Sequence, residues 1–127
     1  MQEKELKFSK NHLWVKINGE IATVGLSNFA QQELGDIVFV EMPENGKKAE
    51  KDETIGTIES VKSVSDLISP LSGEIVETNT LLEDKPETIN SDPYGKGWIV
   101  KIKVSSKGEL SELMDFEAYN KFSESER

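Results

Sequence analysis

Apolar and polar positions alternate along most of the chain in short runs separated by Gly, Pro, Asn and Asp. His12-Leu13-Trp14-Val15-Lys16-Ile17 and Glu20 to Leu26 flank Asn18-Gly19. Two strand-like runs around Asn-Gly are the strongest short-range hairpin signal. Ser27 or Asn28 is placed to cap a short helix, Phe29 to Leu34, that Gly35 stops, and Asn28 with Gln31 has capping-box spacing. Ile37 to Met42 is apolar except for Glu41, which predicts a buried strand ended by Pro43-Glu44-Asn45-Gly46. Lys47 to Glu53 reads as a charged connector. Glu74 to Thr78 is a further strand, and Leu81 to Asn90 holds a short helix starting near Pro86, a favoured first helical residue. Asp92-Pro93-Tyr94-Gly95 makes a turn, and Trp98 to Val104 alternates again. Ser106 to Phe122 reads as helical. Ser106 with Glu109 forms a capping box, and Asp115 caps a second short helix carrying Phe116, Tyr119 and Phe122. Residues 123–127 are a polar tail expected to fray. Gly35-Asp36-Ile37-Val38 and Gly73-Glu74-Ile75-Val76 echo one another, as in a sandwich whose halves each donate an equivalent strand.

Thr54 to Pro70 resists a simple reading. Ile55, Ile58, Val61, Val64 and Leu67 recur every third residue, which leans towards a helix. The composition leans the other way, being rich in β-branched and hydroxyl residues. A single strand of this length is unusual, so the run divides into strands at 54–60 and 64–68 with Val61-Lys62 at the tip. Val-Lys is poor chemistry for a tight hairpin, which prefers Asn-Gly or Gly-X. A local rule broken at an exposed Lys marks a site where something other than folding chose the residues.

The chain has 127 residues, enough for one domain, with a core at about 6–122. Short strands with frequent turns place it among mainly β sandwiches or barrels with peripheral helices. There is no Cys, hence no disulfide framework and no thiolate metal site, and no metal is expected. No apolar run reaches the roughly 20 residues of a membrane span, and the N-terminus lacks the apolar core of a signal peptide. The expectation is a cytoplasmic monomer without membrane contact. With 24 acidic against 15 basic residues the net charge is −9, a surface that repels nucleic acid and favours basic partner surfaces. One His, no nucleophile elbow and no phosphate loop leave no catalytic residue to name, so the chain is not expected to be an enzyme.

Glu59-Ser60-Val61-Lys62, Ser65-Asp66 and Ser69-Pro70-Leu71-Ser72-Gly73-Glu74 together resemble the lipoyl-attachment region of glycine cleavage system H proteins. His12-Leu13-Trp14-Val15, Leu34-Gly35-Asp36-Ile37-Val38-Phe39-Val40-Glu41, Asn90-Ser91-Asp92-Pro93-Tyr94-Gly95 and Gly97-Trp98 fit in order and spacing. The resemblance runs from about Leu6 to Phe122. Val61 stands where 2-oxo acid dehydrogenase lipoyl domains carry Asp, and biotin carriers place Met on both sides of the Lys.

The resemblance implies the barrel-sandwich hybrid of lipoyl domains, with short peripheral helices and a C-terminal helix. It implies lipoic acid in amide linkage to Lys62. Amide formation removes the charge and adds a chain ending in a dithiolane, a disulfide that can be reduced, loaded and reoxidised. It also implies a shuttle. Glycine decarboxylase (P protein) loads an aminomethyl group, aminomethyltransferase (T protein) unloads it, dihydrolipoyl dehydrogenase (L protein) reoxidises the dithiol, and a lipoate-attaching enzyme installs the arm. Glu59 and Asp66 are expected to serve recognition, although two exposed acids are as readily plain surface. His12 and Asn11 are expected near the arm, with His12 equally a strand-end residue held by a hydrogen bond. Trp14 is expected to anchor the core and to help line the arm cleft. Two departures stand out. Leu13 occupies a position where the resemblance implies an acid that meets the amine of the loaded arm, and Asp52 one where Gly is common. Leu13 gives weight to an alternative, a relay that donates lipoate to other acceptor proteins.

Overall fold

The computed structural model describes residues 5–125. The Asn-Gly hairpin forms as β2 (Leu13–Asn18) and β3 (Ile21–Leu26). Asn18 pairs with Ile21, so the loop is Gly19-Glu20, and Gly19 supplies the positive φ of 65° that the turn needs. A short strand that the sequence pattern did not announce, β1 (Lys7–Phe8), adds to β2. Helix α1 (Asn28–Leu34) is capped by Ser27, whose side chain accepts from the Ala30 amide. Asn28 does not cap. Its side-chain oxygen accepts from the Gln31 amide group instead. Strand β4 (Ile37–Glu41) follows, then β5 (Lys48–Ala49) inside what reads in sequence as a connector.

The Thr54–Pro70 run folds back as expected, into β6 (Thr54–Ser60) and β7 (Val64–Ile68). β8 (Gly73–Thr78) comes next, and two single-turn helices, α2 (Leu81–Asp84) and α3 (Thr88–Ser91), replace the one short helix expected over 81–90. β9 (Val100–Val104) is shorter than the alternating run, because Trp98 and Ile99 lie ahead of the ladder. A 3-10 turn at Lys107–Glu112 and α4 (Phe116–Ser125) complete the chain. Asp115 caps α4 by accepting from the Ala118 amide. The Ser106–Glu109 capping box does not form, because the Glu109 carboxylate accepts from the amide and hydroxyl of Ser72. The expected frayed tail is also displaced: Ser123 is buried and α4 continues to Ser125, while the last two tail residues lie outside the described part.

The strands make two antiparallel sheets, one ordered β1-β2-β3-β9-β8-β5 and one ordered β4-β6-β7. The arrangement is a mainly β sandwich in which the barrel does not close. Each member of the Gly-acid-Ile-Val echo enters a different sheet, with Ile37 and Ile75 both buried. Alternation along each strand sends Val15, Ala22, Val24, Val40, Ile58, Leu67, Ile75 and Ile102 into one shared core. A second, aromatic cluster joins Leu6, Phe8, Trp14 and Tyr119. Phe8 stacks on Tyr119 at 4.5 Å between centroids and bridges to Met114 by backbone pairing, which holds α4 against the first strands. The expected buried strand at 37–42 is buried on one side only. Ile37 and Val40 face the core, whereas Val38 and Phe39 face solvent, because a bulge between Ile37 and Phe39 breaks the alternation.

Candidate functional site

Lys62 sits in the turn between β6 and β7, and the turn owes its shape to Ser60. The Ser60 hydroxyl faces inward at a buried position, accepts from the amides of Lys62 and Ser63 at 3.1 Å each, and donates to the Ser63 carbonyl. The Ser60 amide closes the ladder onto the same carbonyl, and the Val61 amide donates to the Asp36 carbonyl. A side chain thus supplies what Val-Lys lacks as turn chemistry. Ser60 escaped the sequence reading, although its place two residues before the Lys was the available signal. No described residue forms an ion pair with Lys62, and its neighbours Val61 and Ser63 are exposed.

The Lys62 chain leans on the end of α1. Its Cε lies 3.4 Å from the point that a Cβ on Gly35 would occupy. Gly35 has φ 80°, a backbone that Gly adopts without steric cost, and its amide closes α1 onto the Gln31 carbonyl. Asn90 fixes this corner. Its amide nitrogen donates to the Gly35 carbonyl and to Gln31, and its oxygen accepts from the Ile37 amide.

Beside the tip runs a groove of about 230 Å³, lined by Asn11, His12, Leu26, Phe29, Ala30, Glu33, Leu34 and Ser65. Leu34 adjoins Gly35 and Ser65 lies on β7 just beyond the turn, so the groove starts where the Lys62 chain rests. Phe29, Ala30, Glu33 and Leu34 share one helix face by their spacing. Glu33 is the only carboxylate among the described residues of the groove wall. His12 has φ 66°, unusual for a side chain of its size, and is held by a hydrogen bond between Nδ1 and the Tyr119 hydroxyl at 2.8 Å. That hydroxyl also meets Ser27 Oγ at 2.6 Å, so the α1 cap, the groove wall and α4 meet at one point.

The residues singled out in the sequence are therefore not one cluster. Asn11 and His12 line the groove. Glu59 and Asp66 are exposed on the opposite, outer face of the three-stranded sheet, since Glu59 pairs with Val64 and Asp66 with Thr57, out of phase with inward Ile58. Leu13 is 2% exposed in the main core, opposite Leu26, and is not part of the groove wall. Trp14 does not line the groove either; it is buried in the aromatic cluster and donates from Nε1 to the Pro93 carbonyl. Tyr94 does more than pack, because its hydroxyl accepts from the Asn28 amide at the start of α1. Asp52 has φ 72°, which explains in backbone terms why Gly suits that position.

Among the described residues no group of His, Cys, Asp and Glu is placed to hold a metal ion, and no helix is long and apolar enough to cross a membrane. What remains at the tip is an exposed primary amine on an ordered turn, with a groove leading away from it.

The family model described as "Glycine cleavage H-protein" matches residues 6–126. The chain belongs to the glycine cleavage H-protein family. It is 52% identical over 118 residues to the glycine cleavage system H protein of Symbiobacterium thermophilum, spanning 93% of this chain and 92% of the relative. It is 49% identical over 119 residues to that of Thermotoga maritima, spanning 94% and 96%. The crystal structure of a glycine cleavage system H protein from Mycobacterium marinum superposes with a TM-score of 0.83 at 38% identity, covering 92% of this chain and 97% of that one. The H-protein fold thus accounts for both sheets and the attached helices.

Proposed function

We propose that this H-protein family member is the lipoyl-bearing carrier of a glycine cleavage system, with lipoic acid in amide linkage to Lys62. The observation that carries the reading is the combination at the tip: an exposed lysine on a turn held by Ser60, beside a groove. The residues fit the group. The lysine provides the amide nitrogen, and the groove offers apolar walls from Leu26, Phe29, Ala30 and Leu34 with polar atoms of Asn11, His12, Glu33 and Ser65. The cofactor, when bound, would supply a reducible dithiolane whose sulfur can carry a one-carbon unit and whose dithiol can be reoxidised by thiol–disulfide exchange. The chain's own residues would tether, orient and shield the arm. A tether keeps each hand-over between the glycine decarboxylase, the aminomethyltransferase and the dihydrolipoyl dehydrogenase close to intramolecular. With the family established, the relay alternative has no separate support.

Lys62→Arg tests the reading. Arg keeps the charge and cannot form the lipoyl amide, and exposed substitutions usually change stability by no more than about 0.5 kcal/mol. The expected outcome is an unchanged unfolding midpoint, no lipoyl mass increment and no support of glycine–CO2 exchange by a P protein. Exchange at the wild-type rate would overturn the proposal.

A further inference from the structure

Tyr119 is 2% exposed and stacks on Phe8 at 4.5 Å between ring centroids. The same aromatic cluster holds Phe29, Phe116 and Phe122, so a Phe at 119 would serve the packing equally. The hydroxyl is what packing does not require. Burying a hydroxyl costs free energy unless it is hydrogen-bonded, and this one reaches two side chains from separate parts of the chain. It lies 2.6 Å from Ser27 Oγ, the cap of α1, and 2.8 Å from His12 Nδ1, in the turn ahead of β2. Ser27 and His12 are also tied to each other, since the Ser27 amide donates to the His12 carbonyl at 2.9 Å. The groove is lined from α1 by Phe29, Ala30 and Glu33, and from the turn by Asn11 and His12. One phenol oxygen on α4 therefore meets the fixing points of both linings. His12 has use for such a fastening, because its φ of 66° is uncommon outside Gly.

We infer that Tyr119 is the positioning residue of the groove, acting through a directed hydrogen-bond chain from Ser27 through Tyr119 to His12; its bearing on the arm rests on the carrier reading above. The direction follows from the donors. Ser27 is fully buried and its Oγ already accepts from the Ala30 amide, so its own hydrogen goes to the phenol oxygen. The phenol hydrogen then goes to His12 Nδ1, and the neutral imidazole carries its proton on Nε2. Ring orientation and tautomer are thus set together, by the bond that the other ring nitrogen makes. Tyr119 does not itself line the groove. It acts on whatever rests there only through Ser27 and His12, and the C-terminal helix thereby shapes a site that it does not touch.

Tyr119→Phe removes the oxygen and keeps the stack. His12 is the only His of the chain, so its two ring nitrogens give unambiguous nitrogen NMR signals in the full-length unmodified protein. At pH 8.5 wild type is expected to show a protonated Nε2 and a bare Nδ1, and Tyr119→Phe a mixture of the two tautomers. Tyr94→Phe removes a hydroxyl that serves the Asn28 amide instead, and is expected to match wild type. A second measurement follows the aminomethyl-loaded lipoyl chain by mass spectrometry. Tyr119→Phe is expected to lose the aminomethyl group at least about threefold faster, the scale of one neutral hydrogen bond. In a His12→Gly background, which suits the positive φ, the same change is expected to add nothing. A protonated Nδ1 in wild type, or His12 signals unchanged in Tyr119→Phe or equally changed in Tyr94→Phe, would overturn the inference. So would unchanged decay of the loaded arm, or the same acceleration persisting without His12. Failure of wild type to carry the group would instead overturn the carrier reading, and the NMR signals of the unmodified chain would still decide the role of Tyr119.

Discussion

Leu13→Glu separates fold from function at the position where this chain departs from the acid expected of its relatives. Leu13 is 2% exposed and opposite Leu26 in the main core. Removing a buried Leu side chain costs about 1.5–3 kcal/mol. Placing a neutral carboxyl there without a partner adds about 1–3 kcal/mol. Ionising it costs more, because burial raises its pKa above the ordinary glutamate value of about 4.3, and each unit is worth about 1.36 kcal/mol. The folded variant then holds its proton more tightly than the unfolded chain. The penalty therefore stays at its low-pH level below about 4.3 and grows as pH rises towards the raised folded value. With a raise of about 2 units, the total at pH 7 is about 5–9 kcal/mol, comparable with the whole stability of a small domain. Urea unfolding at pH 4 and pH 7.5, with Leu13→Gln as the uncharged control, gives the answer. The expected result is a large fall in midpoint that deepens with pH for Glu and not for Gln. An unfolding midpoint equal to wild type at both pH values would refute the reasoning, and would mean that the side chain swings out to the groove.

Three further outcomes are expected. Glu33→Gln should release ammonia and formaldehyde from the aminomethyl-loaded arm about threefold faster or more, read by mass spectrometry, since Glu33 is the only carboxylate among the described groove residues and a charge-assisted contact in a partly open site is worth about 1 kcal/mol; unchanged decay would place the amine elsewhere. Asp52→Gly should stabilise the fold by about 0.5–1 kcal/mol in denaturant titration, because it relieves a φ of 72° while keeping the amide bond to the Ser69 carbonyl. Asn90→Ala should cost about 1–3 kcal/mol and speed hydrogen exchange at the Ile37 amide, which the Asn90 oxygen receives.

Element type was legible wherever local chemistry acted alone. The Asn18-Gly19 hairpin, the helix stopped by Gly35, the Asp115 cap and the split at Val61-Lys62 all depend on neighbours in sequence. What the pattern missed depends on distant partners. Glu109 leaves the Ser106 cap for Ser72, and Lys48–Ala49 becomes a strand only because β8 lies alongside. A bulge turned Val38 and Phe39 outward, which no count of apolar residues along 37–42 reveals. The exposed lysine at the tip was legible as the break in turn rules. The groove was not, since Glu33 reads as an ordinary exposed helix residue until α1 is set against His12 and Ser65. Glu59 and Asp66 sit close to Lys62 in sequence yet face away from that groove, because strand alternation decides sides where sequence distance cannot.

Ser60, not Lys62, holds the shape of the tip. Under the proposed modification of Lys62, folding and acylation would consequently be independent events. The unmodified chain presents its amine in final form before any enzyme arrives, and acylating that amine removes a charge on which no described ion pair depends. Under the carrier reading proposed above, a cell would hold a reserve of folded, unmodified carrier and convert it at the rate lipoate becomes available. Melting curves of the two forms would nearly coincide, so the thermal stability of a preparation says nothing about how much of it is charged for work.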